Sequence, residues 1–234
     1  MPIKIPKNLP AFDILQSEGV MVMSSQLAEK QDIRPLKIIL LNLMPEKIKT
    51  ETQFARLIGS TPLQIEFTLL RVSSHISKNT SKEHLINFYK TFGDLCHQKY
   101  DGLIITGAPI EHLPFEEVDY WRELKNILEW AKKSVHSVFG VCWGAMAMLY
   151  YFHKIDKSIL KKKYFGLFRH MNRKISSHFL RGFSDDLIVP VSRWTEISED
   201  DIVKNDNLEI LLDSDEVGPC LICLLYTSDA ADDN

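Results

Sequence analysis

Ser134–Tyr151 reads SVHSVFGVCWGAMAMLYY, and its two halves have different compositions. Val135 to Val141 is a β-branched and aromatic run. After Gly140-Val141-Cys142-Trp143-Gly144 the chain continues as the small, apolar series Ala145, Met146, Ala147, Met148, Leu149. This composition predicts strand, sharp turn and helix in that order, with the Cys142 thiol at the turn. G-x-C-x-G is the cysteine counterpart of the nucleophile elbow. The turn is strained, and flanking glycines let neighbouring backbone approach without side chains in the way. In that setting the backbone N–H of Trp143 can face a developing oxyanion, and the helix N-terminus favours Cys142 as thiolate. A buried structural cysteine is the competing reading, because free cysteine is among the most buried residue types.

Upstream of the elbow, strands and helices alternate. Lys37 to Leu43 is a near-continuous apolar run, as expected of a strand buried on both faces, and Met44-Pro45 ends it. Thr50-x-x-Gln53 has the form of a capping box ahead of a helix with Phe54, Leu57 and Ile58 on its apolar face, stopped by Gly59. Ile65, Phe67 and Leu69 alternate as a strand, and Ser81 can cap a helix with Leu85, Phe88 and Phe92 on one side. Leu103 to Thr106 is a third buried strand, closed by Gly107-Ala108-Pro109. Phe115 to Lys133 reads as the strongest helix, with Val118, Trp121, Leu124, Leu128 and Ala131 inward and Glu116, Glu117, Arg122, Glu123 and Lys132 toward water.

This alternation predicts right-handed βαβ crossovers and a parallel sheet covered on both faces. Ligands bind beyond the carboxyl ends of such strands. Three segments therefore converge there: Pro45 to Lys49, Gly107 to His112, and the Cys142 elbow. Residues 1 to 35 read as irregular apart from a short helix near Ser25 to Lys30. Beyond residue 153, Tyr164 to His170, Leu187 to Val191 and Asn205 to Leu212 are further candidate strands. Lys161 to Lys163 is a basic cluster of the solvated kind. No repeat or long linker interrupts the chain, which reads as one domain.

A net charge of -3, from 28 Lys+Arg against 31 Asp+Glu, gives no basic excess for nucleic acid. The N-terminus lacks an export-type apolar core and no run approaches a membrane span, so a cytoplasmic protein is expected. The 4 cysteines, at positions 96, 142, 220 and 223, do not form a disulfide framework in a chain this long. Cys220-x-x-Cys223 has no second pair to complete a zinc site, and no metal is expected. A cysteine nucleophile needs a base, usually histidine. Of the 8 histidines, His84 and His97 read as surface residues, His136 lies at the wrong end of its strand, and His112 is within reach of the site. The residues alone identify no partner for Cys142.

The strings Met1-Pro2-Ile3, Arg34-Pro-Leu-Lys37, Leu41-Asn-Leu-Met-Pro45, Glu83-His-Leu85, Phe88-Tyr89, Asp101-Gly-Leu-Ile-Ile-Thr-Gly-Ala-Pro109, Tyr120-Trp121 and Cys142-Trp143 resemble the homoserine O-acyltransferases of methionine biosynthesis. The resemblance runs to about Ile222. It implies a class I glutamine amidotransferase-like (flavodoxin-like) α/β fold, a parallel-sheet three-layer sandwich. It also implies ping-pong transfer from acyl-CoA through a thioester on Cys142 to the hydroxyl of L-homoserine. Trp143 and Lys47 would serve the oxyanion, and Lys163 and Ser192 would bind substrate. Glu111 matches the position that looks diagnostic of acyl choice, glutamate resembling acetyl users and glycine succinyl users. A carboxylate there fills the acyl pocket and repels succinyl's own carboxylate, which favours acetyl-CoA. No resident cofactor is implied; nucleic acid and membrane are not partners, and a homodimer is left open.

Two departures stand out. Pro190-Val191-Ser192-Arg193 replaces the usual Pro-His-Ser-Arg, and the family's His-x-Glu segment has no counterpart here. The resemblance thus divides the chain into an N-terminal arm (1–35), an incomplete acyltransferase domain (36–218) and an atypical tail (219–234), a truncated and impaired member. A succinyl-CoA user, a glutaminase-type amidohydrolase on the same elbow, and a catalytically dead binding module are the alternatives.

Overall fold

The computed structural model describes residues 3–24, 34–75 and 79–224. It divides into two compact units, Met1–Met148 and Leu149–Asn234. No linker composition marks this division, because a helix carries the chain from one unit to the other.

The first unit is built on a seven-stranded sheet in the order β2-β1-β4-β3-β6-β7, with β5 paired to β4. The strands are β1 (Ile3–Lys4), β2 (Val22–Met23), β3 (Leu36–Leu41), β4 (Ile65–Leu70), β5 (Tyr89–Lys90), β6 (Tyr100–Ile105) and β7 (Val135–Gly140). Every pairing is parallel. The apolar run of β3 is explained by its place between β4 and β6: Ile39, Leu40 and Leu41 are fully buried. Among the described residues β7 forms one edge of this sheet, and Phe139 on it is exposed.

The first twenty-odd residues are more regular than their prolines suggest. β1 joins the sheet beside β4, and Pro10 starts helix α1 (Pro10–Ser17), where its missing N–H and fixed φ do no harm. Ile3, Ile5, Leu9, Phe12 and Leu15 pack with Leu40, Ile65, Phe67 and Leu69 in one core. The helix expected near Ser25 to Lys30 lies outside the described residues.

Helix α2 (Lys47–Gly59) begins three residues before the expected capping box. Thr50 is therefore inside the helix, and its hydroxyl donates back to Glu46 O at 3.0 Å, as mid-helix threonines do. Of its expected apolar face, Phe54 and Ile58 pack partly buried against the core while Leu57 is exposed, and Lys47, Thr50, Glu51, Thr52, Ala55 and Gly59 are buried as well. Ser81 does cap α3 (Lys82–Phe88), accepting from His84 N at 3.2 Å. Phe92 starts a separate short helix, α4 (Phe92–Leu95), capped reciprocally by Thr91 and Asp94. Phe115–Glu117 is a 3₁₀ turn, and extended backbone at Val118 delays α5 to Trp121–Ser134. The predicted inward stripe of α5 is buried throughout. Glu123 does not simply face water: its carboxylate accepts from the backbone of Ser73 and Ser74, which draws it below the usual carboxylate range against the opposing effect of burial. Helix α6 (Trp143–His153) follows the elbow.

The second unit is a four-stranded antiparallel sheet, β11-β10-β8-β9. Its strands are β8 (Lys157–Asn172), β9 (Asp186–Ile197), β10 (Leu208–Ser214) and β11 (Gly218–Leu224). The three candidate strands beyond residue 153 are thus present, two of them longer than expected. The start of the atypical tail, through Leu224, is β11, paired to β10. A small core of Leu180, Leu211 and Leu212 lies beneath, with a short helix α7 (Glu199–Val203) capped by Ser198.

Candidate active site

The elbow is built from close approaches that only glycine permits. Cys142 has φ +53, a left-handed backbone that costs an L-residue energy because Cβ crowds the carbonyl. A Cβ on Gly144 would lie 2.6 Å from Thr106 O and 2.8 Å from Ile105 O. One on Gly140 would lie 2.7 Å from Ala145 Cα. The turn is thus pressed onto the end of β6, and Val141 N donates to Ile105 O at 2.9 Å. Cys142 O then accepts from Met146 N at 3.1 Å, so the nucleophile candidate is the first residue of the α6 ladder. Its thiol-bearing residue is exposed, which removes the reading of Cys142 as a buried structural cysteine.

The expected convergence of strand ends is present. A Cβ on Gly107 would meet Cys142 Cβ at 3.2 Å and Sγ at 3.6 Å, so the loop after β6 touches the nucleophile candidate. Thr106, one residue earlier, accepts from Leu43 N through Oγ1 at 2.8 Å, tying in the loop after β3. Lys47 stands at the start of α2 behind that loop, buried, with Nζ donating to Asn42 O at 2.5 Å and Met44 O at 3.3 Å. Burial pushes Lys47 down to about 8, while Glu51 pulls it up and Arg71 pushes it further down.

Trp143 is fully buried against Phe115 and Tyr120, with ring centroids 5.6 Å and 6.0 Å away, and its Nε1 has no hydrogen-bond partner. The indole anchors the elbow from below. Glu111 is half-buried in the loop after β6 and His112 is exposed there. In the second unit, Lys163 and Ser192 are brought toward one aromatic ring. Lys163 Nζ lies 5.7 Å from the centroid of Phe165, and Ser192 faces Phe165 across the β8–β9 pair. Lys163 falls in the register shift between Ile159 and Tyr164, where the ladder is interrupted. Arg193 donates to Val217 O and, at 3.4 Å, to Pro219 O, fastening β9 to the start of β11.

Sequence reasoning misplaced His84. It is buried on α3, with Nε2 3.2 Å from Glu51 Oε2, and not at the surface. It also passed over His75, whose Nδ1 lies 2.7 Å from Asp119 Oδ2 and whose ring abuts Tyr120. No metal-type cluster of His, Cys, Asp or Glu occurs among the described residues.

A family profile described as homoserine O-succinyltransferase matches residues 2–228. The chain belongs to the homoserine O-succinyltransferase family. Within the family it is 60% identical over 222 residues to a homoserine O-acetyltransferase of Cereibacter sphaeroides, covering 95% of this chain and 73% of that one. It is also 60% identical to a homoserine O-acetyltransferase of Rhizobium rhizogenes, covering 95% and 72%. Among solved structures it is similar to a glutamine amidotransferase of Thermotoga maritima, with TM-score 0.57 and 12% identity, covering 82% of this chain and 73% of that one. A glutamine amidotransferase of Methylobacillus flagellatus aligns with TM-score 0.51 and 15% identity, over 82% and 66%. At these identities the two structures speak for the fold alone: class I glutamine amidotransferase-like, as expected from the family resemblance. The family is one of enzymes, and its homoserine acyltransferases belong to methionine biosynthesis.

Proposed function

We propose that this chain transfers an acetyl group from acetyl-CoA to the hydroxyl of L-homoserine through a thioester on Cys142. The left-handed Cys142, held between two glycines that cannot accept a Cβ, is the observation that carries the reading. Lys154, just past the end of α6, also has a positive φ, of +61. Cys142, however, carries its strained backbone at a strand-to-helix turn beside the loop after β6, where such strain points to function. The Cys142 thiolate attacks the acetyl-CoA carbonyl, and the positive end of α6 favours that anion. The tetrahedral intermediate collapses with loss of CoA thiolate, which takes up a proton, leaving acetyl-Cys142. The homoserine hydroxyl then attacks the thioester and gives up its proton to solvent, replacing the one taken up by CoA, and Cys142 thiolate leaves. Lys47 and the Trp143 backbone N–H stabilise the oxyanion in this reading, and Lys163 and Ser192 bind substrate. The names of the relatives favour acetyl as the acyl group, and so does the half-buried carboxylate at Glu111. Succinyl transfer is the second reading, favoured by the family's description. A cytoplasmic setting goes with either.

Intact mass after mixing with each acyl-CoA separates them. Acetyl-CoA should add one acetyl group, mapped to the Cys142 peptide and absent in Cys142→Ala, and succinyl-CoA should react at least about ten-fold more slowly. Glu111→Gly should narrow that ratio by about ten-fold. Preferential succinylation of the parent chain would overturn the acetyl assignment.

A further inference from the structure

Helix α2 starts with an arrangement that helix physics disfavours. Lys47 puts a cation at the positive end of the macrodipole, and it is buried there. One turn on, Glu51 is fully buried, on the same face as Lys47 by its i,i+4 spacing. Tyr89, at the start of β5, connects the two. Its hydroxyl donates to Glu51 Oε2 at 2.7 Å and accepts from Asn42 Nδ2 at 2.9 Å, and its ring centroid lies 5.8 Å from Lys47 Nζ. Asn42 Nδ2 also donates to Lys47 O at 3.2 Å, while Asn42 Oδ1 accepts from Met44 N at 3.2 Å. His84 faces both Glu51 oxygens from α3, 3.1 Å from Oε1 and 3.2 Å from Oε2, with the hydrogen bond directed at Oε2. The end of β3, the loop after it, the first turn of α2 and β5 are thereby held in one buried polar network.

Buried ion networks are weak sources of stability, since well-packed apolar residues of the same volume are often as good or better. Stability alone is therefore a weak reason for this one. An ammonium has three donors, and Lys47 commits two of them to Asn42 O and Met44 O, leaving one to turn on a substrate oxygen. We propose that Glu51, connected through Tyr89 and Asn42, is a positioning counter-charge that keeps Lys47 an ammonium and fixes its direction at the oxyanion site. This rests on the role given to Lys47 above. The groups acting on Lys47 are Glu51, which favours its charge, and Arg71, which opposes it; burial is the largest effect and also opposes it. The Glu51 carboxyl is itself pushed up by burial and drawn back by Tyr89, His84 and Lys47.

The Lys47 titration tests the proposal directly, read from the ¹³Cε shift of lysine-labelled protein and assigned with Lys47→Arg. Glu51→Gln should lower the midpoint by about one pH unit, and Tyr89→Phe should move it the same way by less. With acetyl-CoA, Glu51→Gln should then slow Cys142 acylation by about ten-fold above the parent midpoint and by under about two-fold near pH 6.5. An unchanged midpoint in both variants, or an equal rate loss at every pH, would overturn the proposal and leave a purely structural network. A lowered midpoint in a protein whose parent never acylates Cys142 would uphold the charge coupling while sinking the thioester reading on which it builds. Parent-like acylation by Lys47→Ala would sink the proposal with the Lys47 role.

Discussion

At the residue scale the account turns on Cys142. Its left-handed φ is the price of aiming a side chain outward at the top of a strand-to-helix turn. Glycine adopts that conformation without the Cβ penalty, whereas alanine keeps it. Cys142→Gly should therefore be more stable than Cys142→Ala by about 1 kcal/mol in urea titrations, both being inactive. Equal midpoints would mean that the turn stores no strain. The cysteine, its glycines and Trp143 were legible because small residues flanking a nucleophile leave a distinctive string. Glu51 was not legible. Its significance lies in Tyr89 and His84, which reach it from 38 and 33 residues away, and no local pattern reports such a pairing. The cue available was indirect: Glu83-His-Leu85 and Phe88-Tyr89 stood among the family strings with no task assigned.

At the scale of elements, periodicity was a good guide where one face is apolar and a poor one where it is not. The stripe of α5 and the alternation of β4 followed from hydrophobic spacing alone. Helix α2 followed it only in part: Phe54 and Ile58 pack on the core, but Lys47, Thr50 and Glu51 are buried too while Leu57 is outside. A charged residue on the buried face of a helix inverts the pattern that hydrophobicity would draw. The glycine contacts make a sharper claim about the elbow. Gly144→Ala would drive a methyl into the carbonyls of Thr106 and Ile105, at 2.6 Å and 2.8 Å, and backbone cannot step aside. It should cost about 2 kcal/mol of stability and depress acylation of Cys142. Gly102→Ala meets only the flexible end of Ile38, at 2.8 Å, and should cost less than half as much. The reverse ranking in thermal or urea unfolding would show that the elbow is not pressed onto β6.

At the scale of the whole molecule, alternation of strands and helices gave the parallel sheet of the first unit. The antiparallel sheet of the second gave only fragments, because its long strands are broken by a register shift and mix exposed apolar with charged residues. Nothing in composition separates the two units, since helix α6 is continuous across the point of division. No helix among the described residues is long and apolar enough to cross a membrane. The family membership carries the chemistry of acyl transfer, while the thioester is the claim that this molecule must answer for itself. The decisive measurement is release of CoA from acetyl-CoA by this chain without homoserine, followed by rapid mixing and thiol detection. The account predicts a burst that approaches one CoA per active chain, matched by acetyl on Cys142 and abolished in Cys142→Ala. CoA release that requires homoserine, with Cys142 unmodified throughout, would contradict it.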